Sequence, residues 1–308
     1  MTSLPSLIGA LSPVFLLIVL GFLLRRTIFR KAEFWHPIEN LAYYVLFPAL
    51  FLSTLSKTPF AVEELAPLLL VIAGAIVMIS CLLLSVRGIF LKNGPSFSSV
   101  FQGAIRYNTY VGMSAAGALY GQAGVALLAV IAAFMVPLVN VLSVYVLTRH
   151  ASRRPFSRGI IVKEILGNPL IISSFCGLAL GFLRMPFPAV VEQGLDALGK
   201  ASLPLGLLAV GAGLELGAIP ANRSAMFLGS GLKLCLFPVL VWAGLRIAGI
   251  QPHTAAVAIL YAALPTASSA FILARALGGD YRLMAGLISF QTLLAFATMP
   301  LMLLFLQV

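Results

Sequence analysis

Charge is scarce in this chain: 9% of its 308 residues are Asp, Glu, Lys or Arg, and only 9 residues are acidic. A soluble domain carries about 25% charged residues, so a water-facing surface of ordinary composition is excluded. Cysteine is scarce too. Cys81, Cys176 and Cys235 lie far apart inside apolar runs, which excludes a disulfide framework and reads as packing by small apolar side chains. The histidines, His36, His150 and His253, fall at the ends of apolar runs or between them, too far apart for a metal cluster or a proton relay through a membrane centre. H-E-x-x-H, G-x-S-x-G and P-loop signatures are absent. No enzyme, cofactor or metal site is expected.

What the chain has instead is apolar length. Hydrophobic residues make up 61% of it, in recurring runs of about twenty residues, the length of a helix crossing a bilayer. The fold class is therefore an all-α polytopic membrane protein. Cutting at polar breaks that contain proline or glycine gives spans near 5–24, 36–55, 65–86, 97–119, 124–148, 161–183, 188–216, 224–246, 254–277 and 282–306. The first run lacks a basic start and a small-residue cleavage site, so it reads as a retained helix.

The net charge of +11 does not signal nucleic acid, because the basic residues sit in clusters between apolar runs. They set topology. With the amino terminus outside, the inner connections hold Arg25, Arg26, Arg30, Lys31, Arg87, Lys92, Arg149, Arg153, Arg154, Arg158, Lys163, Arg223 and Arg282; the outer ones hold Lys57, Arg184 and Arg246. This asymmetry puts both termini outside. A bacterial inner membrane with periplasmic termini is the expected location.

The basic stretch RHASRRPFSRG divides the chain into a first half, 1–148, a linker, 149–160, and a second half, 161–308. A shift of 156 lays Pro13 on Pro169, Gly21 on Gly177 and Pro48 on Pro204; one residue more lays Asn108 on Pro265 and Thr109 on Thr266. Five spans per half is an odd number, so the second half enters the membrane inverted, as in many secondary transporters. Pro265 cannot donate its N–H and clashes with the preceding turn, which predicts a break in the ninth span between Leu264 and Ser269. In the fourth span Asn108 and Thr109 hold the matching place. Asn and Thr are favourable N-caps, so Asn108 and Thr266 each mark the start of a half-helix whose positive end faces the bilayer centre, suited to an anion.

The candidate substrate-binding residues are thus Arg106, Asn108, Thr109, Pro265, Thr266, Ser268 and Ser269. Arg106 near mid-span either touches an anionic substrate or makes a structural ion pair. Lys233 is a second cationic contact or a hydrogen-bonded buried lysine. Glu192, Asp196 and Lys200 share a helical face; Asp196 and Lys200 either neutralise each other or Asp196 accepts protons in a desolvated site. Gln291 and Asn140 are expected to tie helices together, Arg275 to reach the interface, and Glu39 and Asn40 to form a polar helix start. Asp196, Lys200, Lys233 and Gln291 are the coupling or supporting candidates.

At LAYYVLFPALFLSTL, IRYNTYVGMSAAGALYG, GNPLIISSFCGLALGF, ASLPLGLLAVGAGLELG and LPTASSAFILARALGGD the chain resembles the auxin efflux carrier family. That family holds plant auxin carriers and bacterial permeases associated with malonate, malate and similar organic anions. The resemblance covers nearly the whole chain. It implies ten helices in two inverted five-helix repeats, with helices 4 and 9 broken and crossing at the midplane, similar to the bile-acid symporter fold. It also implies an elevator, with the first, second, sixth and seventh spans as scaffold and the third to fifth and eighth to tenth as transport domain. A homodimer through the scaffold and coupling to protons or membrane potential are further implications. Asn108 matches the family's carboxylate-holding asparagine and Pro265 its ninth-span proline. Many relatives also have a proline beside the Asn-Thr pair, where this chain has Tyr107 and Ser114, so the fourth span either breaks or bends around Gly112. The expected function is secondary transport of small organic anions. The rivals are a cation–proton exchanger, which would place carboxylates at the crossing, and a ligand-binding membrane sensor.

Overall fold

The computed structural model describes residues 3–58, 62–90, 93–151, 166–217 and 223–306, with Gly159 and Val162. Lys92, Arg153, Arg154, Arg158 and Lys163, and with them most of the expected linker, lie outside the described residues. Every regular element among the described residues is helical. We number them α1 (Leu4–Thr27), α2 (Ala32–Lys57, with a π turn at Ala42–Leu46), α3 (Val62–Phe90), α4 (Gly94–Ile105), α5 (Thr109–His150), α6 (Pro169–Phe182) and α7 (Ala189–Ala212). Then follow α8 (Arg223–Ile247, with a π turn at Leu232–Leu236), α9 (Pro252–Ala262), α10 (Ser269–Leu277) and α11 (Tyr281–Phe305).

Among the described residues, 7 helical stretches are long and apolar enough to cross a membrane. One of them, Gly94–His150, is interrupted between α4 and α5 and turned sharply at Gly121, whose φ of 61° suits a residue without a Cβ. Across that turn a Cβ added to Gly117 would touch Val125 and one added to Gly124 the Ala116 carbonyl, so α5 bends back on itself there. A helix is the economical choice for such segments, because hydrocarbon offers no partner to an unpaired N–H or C=O. Their ends are built locally. Asn168 Oδ1 accepts from the N–H groups of Leu170 and Ile171 at 3.0 and 3.4 Å, with Pro169 in the first turn of α6. Asp280 Oδ1 caps α11 through Leu283 N–H at 3.0 Å, while Ser96 Oγ donates to Oδ2 at 3.0 Å and Ser99 Oγ to the Asp280 carbonyl at 2.9 Å. The Gly-Gly-Asp stretch is therefore a turn that fastens the start of α11 to the start of α4.

Two sets of helix contacts stand out within one continuous core. In the first, α1 lies on α7, and the second half of α2 lies on both α6 and α7. Gly177 and Gly181 let α6 approach the Phe51–Ser56 backbone of α2. In the second, α4, α5, α8, α9, α10 and α11 surround a core that includes Phe97, Phe101, Phe237 and Tyr261, all fully buried, and α3 lies on α8. The cysteines, expected to pack inside, stand exposed.

The α1–α7 crossing is closest at its glycines. A Cβ on Gly211 would lie 1.9 Å from the Ile18 carbonyl oxygen, and one on Gly21 would lie 2.1 Å from that of Leu208. Backbone cannot yield as a side chain can, so Gly211→Ala must push the helices apart. We expect a loss of about 1–3 kcal/mol, read as a lower thermal midpoint of the purified protein; an unchanged midpoint would contradict this contact.

Candidate functional site

Two interruptions meet at the centre of the second group. The first spans Arg106 to Asn108: Arg106 (ψ 159°) and Asn108 (ψ 100°) are extended, and α5 starts afresh at Thr109. No proline causes this. Asn108 makes the new start, its Oδ1 accepting from Tyr110 and Val111 N–H at 3.1 and 3.2 Å. The fourth span thus breaks at Asn108 rather than bending at Gly112. The second interruption runs from Ala263 to Ser268, between α9 and α10. It contains Pro265, as the sequence predicts.

The two breaks hold each other. Asn108 N–H donates to the Pro265 carbonyl at 2.8 Å. Gln291 of α11, fully buried, accepts from Thr266 N–H at 3.0 Å and donates to the Gly103 carbonyl, also at 3.0 Å. It ties both breaks with one amide, the helix-bridging role expected of it. Thr266 was expected to cap the second half-helix. It does not: Ser268 occupies the cap position, two residues later, and the Thr266 N–H is already taken by Gln291. Arg106 Nη2 donates to Ser269 Oγ at 3.1 Å, joining one break to the start of α10.

Beside the breaks lies a cavity of about 360 Å³, within the size range of small-molecule sites. Arg106, Asn108, Thr109, Ser268 and Ser269 line it. Pro265 and Thr266 do not line it; they meet Asn108 and Gln291 through their backbone. Asn108 Nδ2 is buried here with no hydrogen-bond partner. Tyr110 lines the cavity with its ring 4.4 Å from that of Phe47 on α2. The lining then extends along α2, α6, α7 and α10 through Glu39, Asn168, Val210 and Ala276. These helix ends share a side with the end of α1 that carries Arg25 and Arg26, since Gly211 of α7 sits against Ile18 and Gly21 against Leu208.

The supporting candidates separate. Lys233 is the hydrogen-bonded buried lysine and not a contact in the cavity: its Nζ donates to the Ala262 carbonyl at 3.4 Å and lies 4.3 Å from the centre of the Phe237 ring. It serves the last carbonyls of α9, where the chain leaves the helix. Lys200 still acts on Asp196 through its charge, but the hydrogen-bonded partner is another lysine. Both oxygens of Asp196 accept from Lys57 Nζ at 2.9 Å, Ser53 Oγ donates to it as well, and Glu192 pairs with the same lysine at 2.8 Å. With a lysine and a hydroxyl on its oxygens Asp196 is a paired carboxylate, and neither it nor Lys200 lines the cavity. Packing of α2 on α7 brings Lys57 closer than the helix repeat brings Lys200.

Among the lining residues that the sequence does not single out for the site are Asn140, Asn168 and Glu39. Asn140 faces the cavity instead of tying helices, and Asn168 caps α6 beside it. Glu39 lines it because α2 begins at Ala32, which puts this residue inside the helix and not at its start. The polar Glu39-Asn40 pair ahead of an apolar run is the available signal. Among the described residues no group of three His, Cys, Asp or Glu could hold a metal ion.

Comparison with known proteins points to a membrane transporter. A family profile described as "Membrane transport protein" matches residues 143–303, which include Asn168, both halves of the second break and Gln291. A Rhizobium meliloti (strain 1021) protein named "Putative malonate transporter" is 28% identical over 306 residues, covering 94% of this chain and 92% of the relative. With that profile over more than half of its length, the chain belongs to the auxin efflux carrier family, a family of membrane transporters.

Proposed function

We propose that this protein is a secondary transporter of small organic anions, mono- or dicarboxylates with auxin-like acids among them, and that the substrate carboxylate binds where the two breaks meet. The observation that carries this reading is the donor set at one end of the cavity. Asn108 Nδ2 lacks a partner, a buried donor that an incoming carboxylate oxygen would satisfy. Ser269 Oγ and the Arg106 guanidinium stand beside it, and α5 and α10 both begin there. Helix amino ends carry partial positive charge. The malonate in the relative's name is a dicarboxylate and makes it the first probe to use.

On this reading the breaks are those of helices 4 and 9, crossing at the membrane midplane within ten helices arranged as two inverted repeats. The group containing α1, α2, α6 and α7 is the scaffold, through which two copies would pair; the group around the breaks is the transport domain that rides against it as an elevator. Both termini face the periplasm of an inner membrane, and the cavity then opens toward the cytoplasm. The cycle is coupled to a proton or to the membrane potential.

Proteoliposomes test the reading: radiolabelled malonate and a panel of other carboxylates should enter or exchange in a saturable way. Ligand-dependent stabilisation without any flux would leave a sensor. Topology has its own check. Single cysteines at Ser3 and Ser152, in a background without the native cysteines, should label from opposite sides of the membrane. Labelling from the same side would end the inverted repeat.

A further inference from the structure

Among the described residues lining the cavity, two carry a formal charge: Arg106 at the first break and Glu39 on α2. A carboxylate within a membrane span is ordinarily paired with a permanent cation. Asp196 follows that rule with Lys57. Glu39 does not, because its ion-pair partner among the described residues is His36, Nδ1 to Oε2 at 3.7 Å, and histidine is charged only when protonated. Asn40, Tyr43 and Tyr44 on its own helix line the same cavity, and Tyr110 on α5 is close enough to interact with the charge of Glu39. From α7 it meets Gly213, where an added Cβ would stand 4.0 Å from Oε1; Glu215 beyond is exposed, with its N–H given to Ser289. The side chains of Glu39 and His36 are 36% and 74% exposed, and Glu39 is the one of the two that lines the cavity.

We infer that Glu39 is a proton-binding gate, a carboxyl that must be neutral for an organic anion to occupy the cavity. The inference rests on the anion reading above. Two negative charges about 8 Å apart, at an effective dielectric constant near 20, weaken binding by roughly thirtyfold. A proton taken from water at the mouth, directly or through His36, onto a Glu39 oxygen removes that repulsion. Anion binding from this side therefore takes up a proton, and a fall in pH on this side favours loading.

Calorimetry decides it. Purified wild type, Glu39→Gln, Glu39→Ala and Glu39→Asp are titrated with malonate near pH 8 and near pH 5.5, in two buffers of different protonation heat. The ligand's own titration is common to all four proteins and cancels between them. Wild type and Glu39→Asp should gain about tenfold more affinity on acidification than Glu39→Gln and Glu39→Ala, and should take up about one more proton per anion bound. Two uncharged replacements guard against one of them failing to fold. Equal proton uptake and equal pH response in all four would overturn the gate while leaving the anion site standing. Absence of binding by malonate and by other carboxylates in every protein would overturn the anion site, and the gate with it.

Discussion

Asn108→Asp should fold as the wild type does and bind malonate at least about tenfold more weakly. The fold should survive because the side chains are nearly isosteric and one aspartate oxygen can take over the capping of Tyr110 and Val111 N–H. A negative charge at a helix start even suits the helix dipole. What changes is the other end of the group. The Nδ2 donor, without a partner in the protein, becomes a charged oxygen beside the place where the anion's own oxygen would sit. Two such charges about 4 Å apart repel by roughly 4 kcal/mol at an effective dielectric constant near 20, and each 1.4 kcal/mol is a factor of ten. Water in the cavity reduces that figure, which is why tenfold is the expected minimum. Calorimetry at neutral pH reads the effect; undiminished affinity would place the anion elsewhere.

Gln291→Leu is expected to act on stability instead. The substitution keeps the volume of the side chain and removes both polar ends, leaving the Thr266 N–H and the Gly103 carbonyl buried with no partner. Each orphaned group costs about 1–3 kcal/mol, so the pair costs about 2–6 kcal/mol. Spread over a domain of this size, that is a drop in thermal midpoint of roughly 5–20 °C. Gln291→Glu separates the two contacts, since a carboxylate still accepts from Thr266 but cannot donate to Gly103. Equal midpoints for Gln291→Leu and the wild type would mean that the amide does not hold the breaks.

How much of this was legible in advance depends on the range of each contact. Pro265 announces its break through local chemistry, since the ring alone removes a donor and blocks a turn. The Asn108 cap is local as well. That the fourth span parts completely without a proline was not legible, because its broken ends are satisfied by Pro265 and Gln291 from the other half of the chain. The same limit explains Asp196. Helical spacing offers Lys200, four residues on, whereas the hydrogen-bonded partner, Lys57, is 139 positions away and is delivered by the packing of α2 on α7. Glu39 and Asn40 precede the apolar run LAYYVLFPALFL, which reads as a polar helix start; the start of α2 at Ala32 puts Glu39 inside the helix and against the cavity.

The Gln291 bridge also has a history that the finished molecule conceals. Gly103 and Gln291 are 188 positions apart, and a ribosome adding about 5–20 residues per second takes roughly 10–40 s to cover that distance. Throughout that interval the newly made fourth span has a gap in its ladder and a carbonyl whose final partner does not yet exist. Hydrocarbon cannot solvate it. The nascent chain must therefore keep this segment near water, near headgroups or within the insertion machinery until the last span arrives, so truncation before Gln291 should yield a product that is inserted late, degraded or held by an insertase.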